Sequence, residues 1–460
     1  MIALTATGIN SDISLNGNLL ATNTGLTAAQ NGITVNAGRD ILVASTTNIT
    51  TASSGALRLA ATRNIDLKVD DSGFSGANNA LTAVGNLDLV ATSGQIVRSD
   101  GNLVSLSAST VALTAGTNIG AFGDITATAG TVTLGAGTTL STSGFTVTAP
   151  GNVTLTAPGA ISVSTVNATG ANSDINITSS TAGISAGTLA AGNDIALRAV
   201  TGLSLGAITA GTAGNGLVTL GNSGAASDIN LTGNLQATNA GLADTAAAIS
   251  VTSGRDILIA STTNLTSVTS GAIRLNAARA VNLKVDDFGF SGANNALTAA
   301  GNLDITAGTS ISRTDNNAIS GSGKAVSLLA GTTIAPGGGG GFTASTGDLT
   351  FTATGSINTS GLGMGAAQNL VLTGAGITTS NLSATAGFID INSSAGVGVG
   401  NLSAGTSISV DGAAFMSLGA LSTGNGVIAL AATGINSDIS LNGNLLATNT
   451  GLTADRTSGV

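Results

Sequence analysis

The sequence predicts an all-β chain wound into a right-handed parallel β-helix (a β-solenoid), an elongated rod, and three observations carry that prediction. The 460-residue chain runs twice through one long text and then opens it a third time. Residues 2–28, IALTATGINSDISLNGNLLATNTGLTA, return at 428–454 with only Thr5 changed, to Ala431. Short apolar alternations of period two recur from end to end, each bounded by Gly, Asn, Asp or Ser. The composition suits strands and tight turns: Gly is 67 of 460, Pro is 3, every one of the 22 acidic residues is Asp, and Lys occurs three times. With Glu absent and Lys scarce, a helical solenoid lacks its best surface helix formers.

The repeat fixes the organisation. Asp12 maps to Asp228, Arg39 to Arg255, Lys68 to Lys284 and Asn86 to Asn302, a constant displacement of 216. The offset falls to 213 between Ile195 and Ile408 and to 210 between Leu220 and Leu430, and each loss lies in Gly/Ser/Thr/Ala-rich text. Loops absorb such changes at little cost, so the apolar alternation stays in phase on either side. Copy one spans 2–217, copy two 218–427, and a third starts at 428–454. Self-similarity of this kind predicts a single continuous solenoid over 1–460 rather than separate globules.

Strands are expected at 12–15, 33–35, 40–43, 56–59, 65–69, 87–90, 111–113, 132–134, 153–155, 175–177 and 195–197. A frequent form is Gly, then Asn or Asp, then an apolar alternation ending in Ala, as in GNLDLVA at Gly85, GNVTLTA at Gly151 and GNLDITA at Gly301. Stacked rung on rung about 4.8 Å apart, such phrases turn Ile, Leu and Val inward and Thr and Ser outward. Ile41, Leu59, Leu67, Leu87, Ile175 and Ile195 are therefore predicted in the bore. At about 20 to 22 residues per coil the chain would make about 21 to 23 rungs, a rod on the order of 100 Å long. Hydrophobic residues make up 42% and charged ones 8%, too apolar for a disordered tail, and no apolar run is long enough for membrane insertion.

The Gly-Asn/Asp phrases, the Asp-over-Glu and Thr/Ser/Asn/Gly bias, and the long degenerate repeat resemble filamentous haemagglutinin-type exoproteins of Gram-negative bacteria, exported by two-partner secretion. The resemblance extends over essentially the whole chain. It implies a parallel β-helical shaft of a secreted or outer-surface adhesin whose partner is a host or cell-surface receptor or a glycan. An NPNGI-like element typical of that family's secretion domain does not occur here. Met1 stands where the later copies have Leu217 and Val427, which reads as a start set inside a longer array.

The chemistry is sparse. His and Cys are absent, which removes the usual general base, thiol nucleophile and zinc ligands, and Trp and Tyr are absent too. A net charge of −9 argues against nucleic acid, and no enzymatic activity is expected. The best site candidate is KVDDSGFSGANNALTA at 68–83, repeated from Lys284 as KVDDFGFSGANNALTA. Asp70 with Asp71, and Asp286 with Asp287, would hold Ca²⁺ with nearby carbonyls or serve as the carboxylate pair of a polysaccharide hydrolase or lyase. As a purely structural feature the same segment is a long turn leaving the coil, with Phe74 or Phe290 as a lid and Asn78 and Asn79 bonding the backbone. Adjacent strand residues point to opposite faces, so each Asp pair needs that turn to converge.

Other motifs read as architecture. Arg39 with Asp40, and Arg255 with Asp256, are expected as exposed charges at a strand entrance. The glycines of 337–341 form a loop without the Gly-Lys-Ser/Thr of a phosphate cradle. Thr-x-Thr phrases such as Thr126 with Thr128, Thr154 with Thr156 and Thr350 with Thr352 suit the outside of any β-solenoid, or an ice-ordering face if they stack in register. Without amphipathic caps the terminal coils would be sticky, which predicts end-to-end self-association.

Overall fold

A computed structural model describes residues 1–69, 79–285, 295–315, 318–435 and 437–449. Among the described residues there is no helix; the chain is strands joined by short turns, and every strand-to-strand ladder is parallel. It forms a β-solenoid, with two compact units, Met1–Ala240 and Gly241–Val460.

In the first unit each coil gives one strand to each of three columns. The first column runs through Ile2–Ala6, Asn31–Ala37, Ala56–Ala61, Leu87–Ala91, Val111–Ala115, Val132–Ala136, Val153–Ala157, Ile175–Ser179, Ile195–Ala199 and Val218–Asn222. Its register is strict, so Leu113, Leu134, Leu155, Ile177, Leu197 and Leu220 stack as one inward row. The second column contains Ile13–Leu15, Ile41–Ala44 and Ile65–Val69, and the third Leu19–Ala21, Ile49–Thr51 and Asn79–Ala83. The second unit repeats the scheme, its first column running from Ala247–Ser253 to Ile428–Ala432.

The coils are less uniform than the sequence suggests. Ile175 pairs with Ile195, 20 residues on, but Ile2 pairs with Ile33 and Leu57 with Leu87, 31 and 30 residues on. The long coils open each copy and carry its excursions, so the chain makes fewer rungs than a uniform length implies. All six residues predicted in the bore are buried: Ile41, Leu59, Leu67, Leu87, Ile175 and Ile195. Aromatic rings fill the interior only locally, where Phe342 and Phe351 meet edge to face with centroids 5.4 Å apart.

Glycine marks where backbones touch. A Cβ on Gly137 would lie 1.9 Å from the Gly116 carbonyl oxygen of the coil beneath, so successive turns approach closely only because neither residue has a side chain.

The Asn or Asp that follows such a glycine has a different task. The Asn152 amide oxygen accepts the Asp174 N–H at 2.9 Å, Asp174 accepts the Asp194 N–H at 3.1 Å, and Asp194 accepts the Leu217 N–H at 2.8 Å. Each side chain thus caps the next coil at the same corner. Asn381 and Asn401 do the same for Asn401 and Ala420, each at 2.9 Å.

Asp40 and Asp256 correct an expectation. Both are buried rather than exposed, because they belong to such a capping series. Asp40 accepts the Asn64 N–H at 2.9 Å and Arg63 Nε at 2.9 Å, and Asp256 accepts the Ala280 N–H at 3.0 Å and Arg279 Nε at 2.8 Å. Arg39 is half-exposed and grips Asp12 on the preceding coil. The guanidinium hydrogen bonds hold the carboxyls of Asp12, Asp40 and Asp256 below the usual carboxylate range.

Candidate functional site

The segment singled out in both copies begins at a lysine, and that lysine is where the structure departs most from period two. In Ile65–Val69 an alternating strand that buries Ile65 and Leu67 sends Lys68 to solvent. Instead the ladder slips: Ile41 faces Ile65 and Leu42 faces Asp66, but Ala44 faces Val69. One extra residue on the upper strand forms a β-bulge, and Lys68 turns inward and is fully buried. The second copy repeats the slip, with Leu258 facing Asn282 and Ala260 facing Val285, and Lys284 is fully buried as well.

A buried ammonium is costly unless it is paired and hydrogen-bonded, and both lysines are. Lys68 Nζ donates to the Ser45 carbonyl at 2.9 Å and to Asn79 Oδ1 at 3.2 Å. Lys284 Nζ donates to the Ser261 carbonyl at 2.9 Å and to Asn295 Oδ1 at 2.8 Å, with Asp315 Oδ2 at 3.8 Å. The asparagines are almost fully buried and are fixed from the other side, Asn79 Nδ2 donating to the Ala44 carbonyl and Asn295 Nδ2 to the Ala260 carbonyl, each at 2.8 Å. A serine closes each cluster: Ser45 Oγ reaches Asp100 Oδ2 at 3.0 Å, and Ser261 Oγ reaches Asp315 Oδ2 at 2.7 Å. Asp100 is held below the usual carboxylate range, first by the Asn102 backbone N–H, with the Ser45 hydroxyl and the Lys68 charge adding to it.

Beside this cluster the copies differ. Asp66 accepts the Lys68 N–H at 3.1 Å, the Ser99 N–H at 3.1 Å and the Ser99 hydroxyl, yet burial pushes its carboxyl above the ordinary range. In copy two the position is Asn282, whose Oδ1 accepts the Lys284 N–H at 3.2 Å. The neutral side chain performs the same capping.

Of the residues picked from the sequence, Asp70, Asp71, Asp286 and Asp287, with Phe74, Phe290 and Asn78, lie outside the described residues. Asn79 is described and does bond the backbone, as the structural reading expects. Among the described residues, no group of three acidic side chains is placed to hold a metal ion. Sequence reading missed the inward turn of Lys68 and Lys284 and their alliance with Asn79, Asn295, Asp100 and Asp315. The available signal was a lysine within an apolar strand phrase, repeated in both copies with an asparagine at the same spacing.

The Thr-x-Thr phrases do not stack as a continuous array. Thr154 and Thr156 have Thr133 and Gly135 on one side and Asn176 and Thr178 on the other, and the next coil offers Ala196 and Arg198. Thr350 and Thr352 stand between Ser327 with Leu329 and Val371 with Thr373. A shallow groove on the first unit is lined by hydroxyls, with Ser162, Ser185 and Ser204 in register along it.

The chain matches no known family model, and no curated protein matches it either.

Proposed function

We propose that the chain is a structural shaft and adhesive segment of a large secreted or outer-surface bacterial repeat protein of the filamentous haemagglutinin type, meeting a host or cell-surface receptor or glycan. The observation that carries this reading is the contrast between the two faces of one ladder. Inward, Leu134, Leu155, Ile177 and Leu197 repeat one chemistry; outward, Thr133, Thr154, Asn176 and Ala196 do not. A fixed interior with a varied exterior favours a scaffold that presents broad surface, because coils stack on their apolar insides and the outsides are free to diverge. The hydroxyl-lined groove supports contact with a polar ligand such as a glycan. The interrupted threonine rows weigh against an ice-ordering role.

The test is retention of the purified chain on cultured host cells and on immobilised glycans, scored beside incubation with pectins, chitin and other polysaccharides. Saturable binding by the folded chain that heat denaturation abolishes is expected. Release of sugar products without surface binding would favour a carbohydrate-active enzyme instead.

A further inference from the structure

The lysine cluster has a composition that hydrogen bonding alone does not require. In each copy a primary amine, a primary carboxamide and a carboxyl group are buried together. Lys68 and Lys284 have no exposed surface, Asn79 and Asn295 are 2% and 1% exposed, and Asp315 is 9% exposed. Lys284 Nζ stands 2.8 Å from Asn295 Oδ1 and Lys68 Nζ 3.2 Å from Asn79 Oδ1, so the amide carbon is one carbonyl bond, about 1.2 Å, beyond the atom already touched. Both partners are immobilised. The Ser45 and Ser261 carbonyls hold the amines, and the Ala44 and Ala260 carbonyls hold the amide nitrogens. Two groups fixed at such range gain a large effective molarity, and a site closed to solvent protects the attack from competing water.

We propose that Lys68 and Asn79, and likewise Lys284 and Asn295, join as intramolecular isopeptide bonds. The ammonium first passes a proton to the carboxylate, Asp315 in the second copy and Asp100 in the first. The freed Nζ lone pair attacks Cγ of the asparagine and forms a C–N bond. The Cγ–Nδ2 bond then breaks, and Nδ2 leaves as ammonia with one further proton from Nζ. The products are a secondary amide, a neutral carboxylic acid and one ammonia, and no oxidant or reductant takes part. Two buried charges disappear, and this favours the product in a low-dielectric interior. The carboxyl group touches the reacting amine and is the proton carrier.

The cross-link would tie the end of the second-column strand to the start of the third-column strand across the excursion between them. Each would be a ring closed over the 11 residues from lysine to asparagine. Tension along the coil would then bypass the excursion.

Intact mass of the folded, purified chain under denaturing conditions tests this. The expected mass is below the sequence mass by two molecules of ammonia, falling short by one in Asn295→Ala and by one in Asp315→Asn. Trypsin should fail to cut after Lys68 and Lys284, and the peptides spanning 68–79 and 284–295 should each lack one ammonia with no backbone fragments from inside the ring. A β-rich wild-type chain with the full sequence mass would overturn the proposal. So would ammonia loss with Lys68 and Lys284 still cleavable, since succinimide formation at the asparagines accounts for that. Because the wild-type chain carries both readouts, the test stands even where a variant fails to fold.

Discussion

Asp66 and Asp40 sit in neighbouring coils, both cap backbone N–H groups, and their carboxyls shift in opposite directions. Asp40 has Arg63, and the guanidinium favours its charged form. Asp66 has only hydroxyl and N–H donors, and burial prevails, raising its pKa. The signs of the stability effects follow. A raised folded pKa adds stability below the unfolded value near 4 and loses it as pH climbs through the folded value, so at neutral pH the Asp66 charge is a cost. A lowered folded pKa does the reverse, and the Asp40 contribution is present at neutral pH and lost on acidification through its folded value. Asp66→Asn, which copy two already carries as Asn282, should therefore leave the stability at pH 7 unchanged or raise it by no more than about 1 kcal/mol. Any gain should vanish below about pH 4. Thermal melts of the variant and wild type at the two pH values check this, and a clear loss at pH 7 would contradict the burial argument.

Within one coil, the fold depends on what each strand places inside and on what caps its first N–H. Ile195 is buried between Ile175 below and Val218 above. Ile195→Asp puts an unpaired charge between two aliphatic side chains and should cost more than about 4 kcal/mol, read as a collapse of the melting transition. The caps explain why the acidic residues are all Asp. Asp174 accepts the Asp194 N–H and Asn193 Nδ2 from its place at the turn, and one more methylene carries the carboxylate past both. Asp174→Glu should cost about 1 kcal/mol although charge is conserved, measurable by urea denaturation, and an unchanged midpoint would refute the capping role. The strand phrases were legible because an inward side chain every second residue is a local rule. The bulge at Lys68 was not, since the extra residue is defined only against the partner strand Ile41–Ala44. A fully buried lysine therefore looked like an outward one in the sequence.

On the scale of the molecule, the coil carrying Ile439–Leu441 and Leu445–Ala447 pairs with the coil beneath, Met416 facing Ile439 and Leu421 facing Leu445. Its Ile439, Leu441 and Leu445 are 40%, 43% and 48% exposed, whereas their counterparts Met416, Leu418 and Leu421 are fully buried. Exposed apolar residues beside an unpaired strand edge favour pairing with another chain. We expect the purified chain to associate with rising concentration in light scattering. Leu441→Lys with Leu445→Lys should return it to monomer without changing its β-rich circular dichroism. A wild type that stays monomeric at high concentration would refute this.

Sequence alone determined the architecture, because a β-solenoid is built from a local rule applied repeatedly: alternate the apolar residues, turn at Gly, cap with Asn or Asp, and repeat. Each phrase carries its own instructions, and a 216-residue echo states that the next copy obeys them too. Tertiary structure decided what lies between phrases. The coil lengths, from 19 residues between Leu370 and Ile389 to 31 between Ile2 and Ile33, depend on how much chain leaves each corner before the ladder resumes. The burial of Asp40, the pairing of Arg63 with it, and the meeting of Lys68 with Asn79 and Asp100's serine partner Ser45 join residues from different coils. Such meetings depend on register across the ladder, a relation between strands that no single stretch of sequence contains.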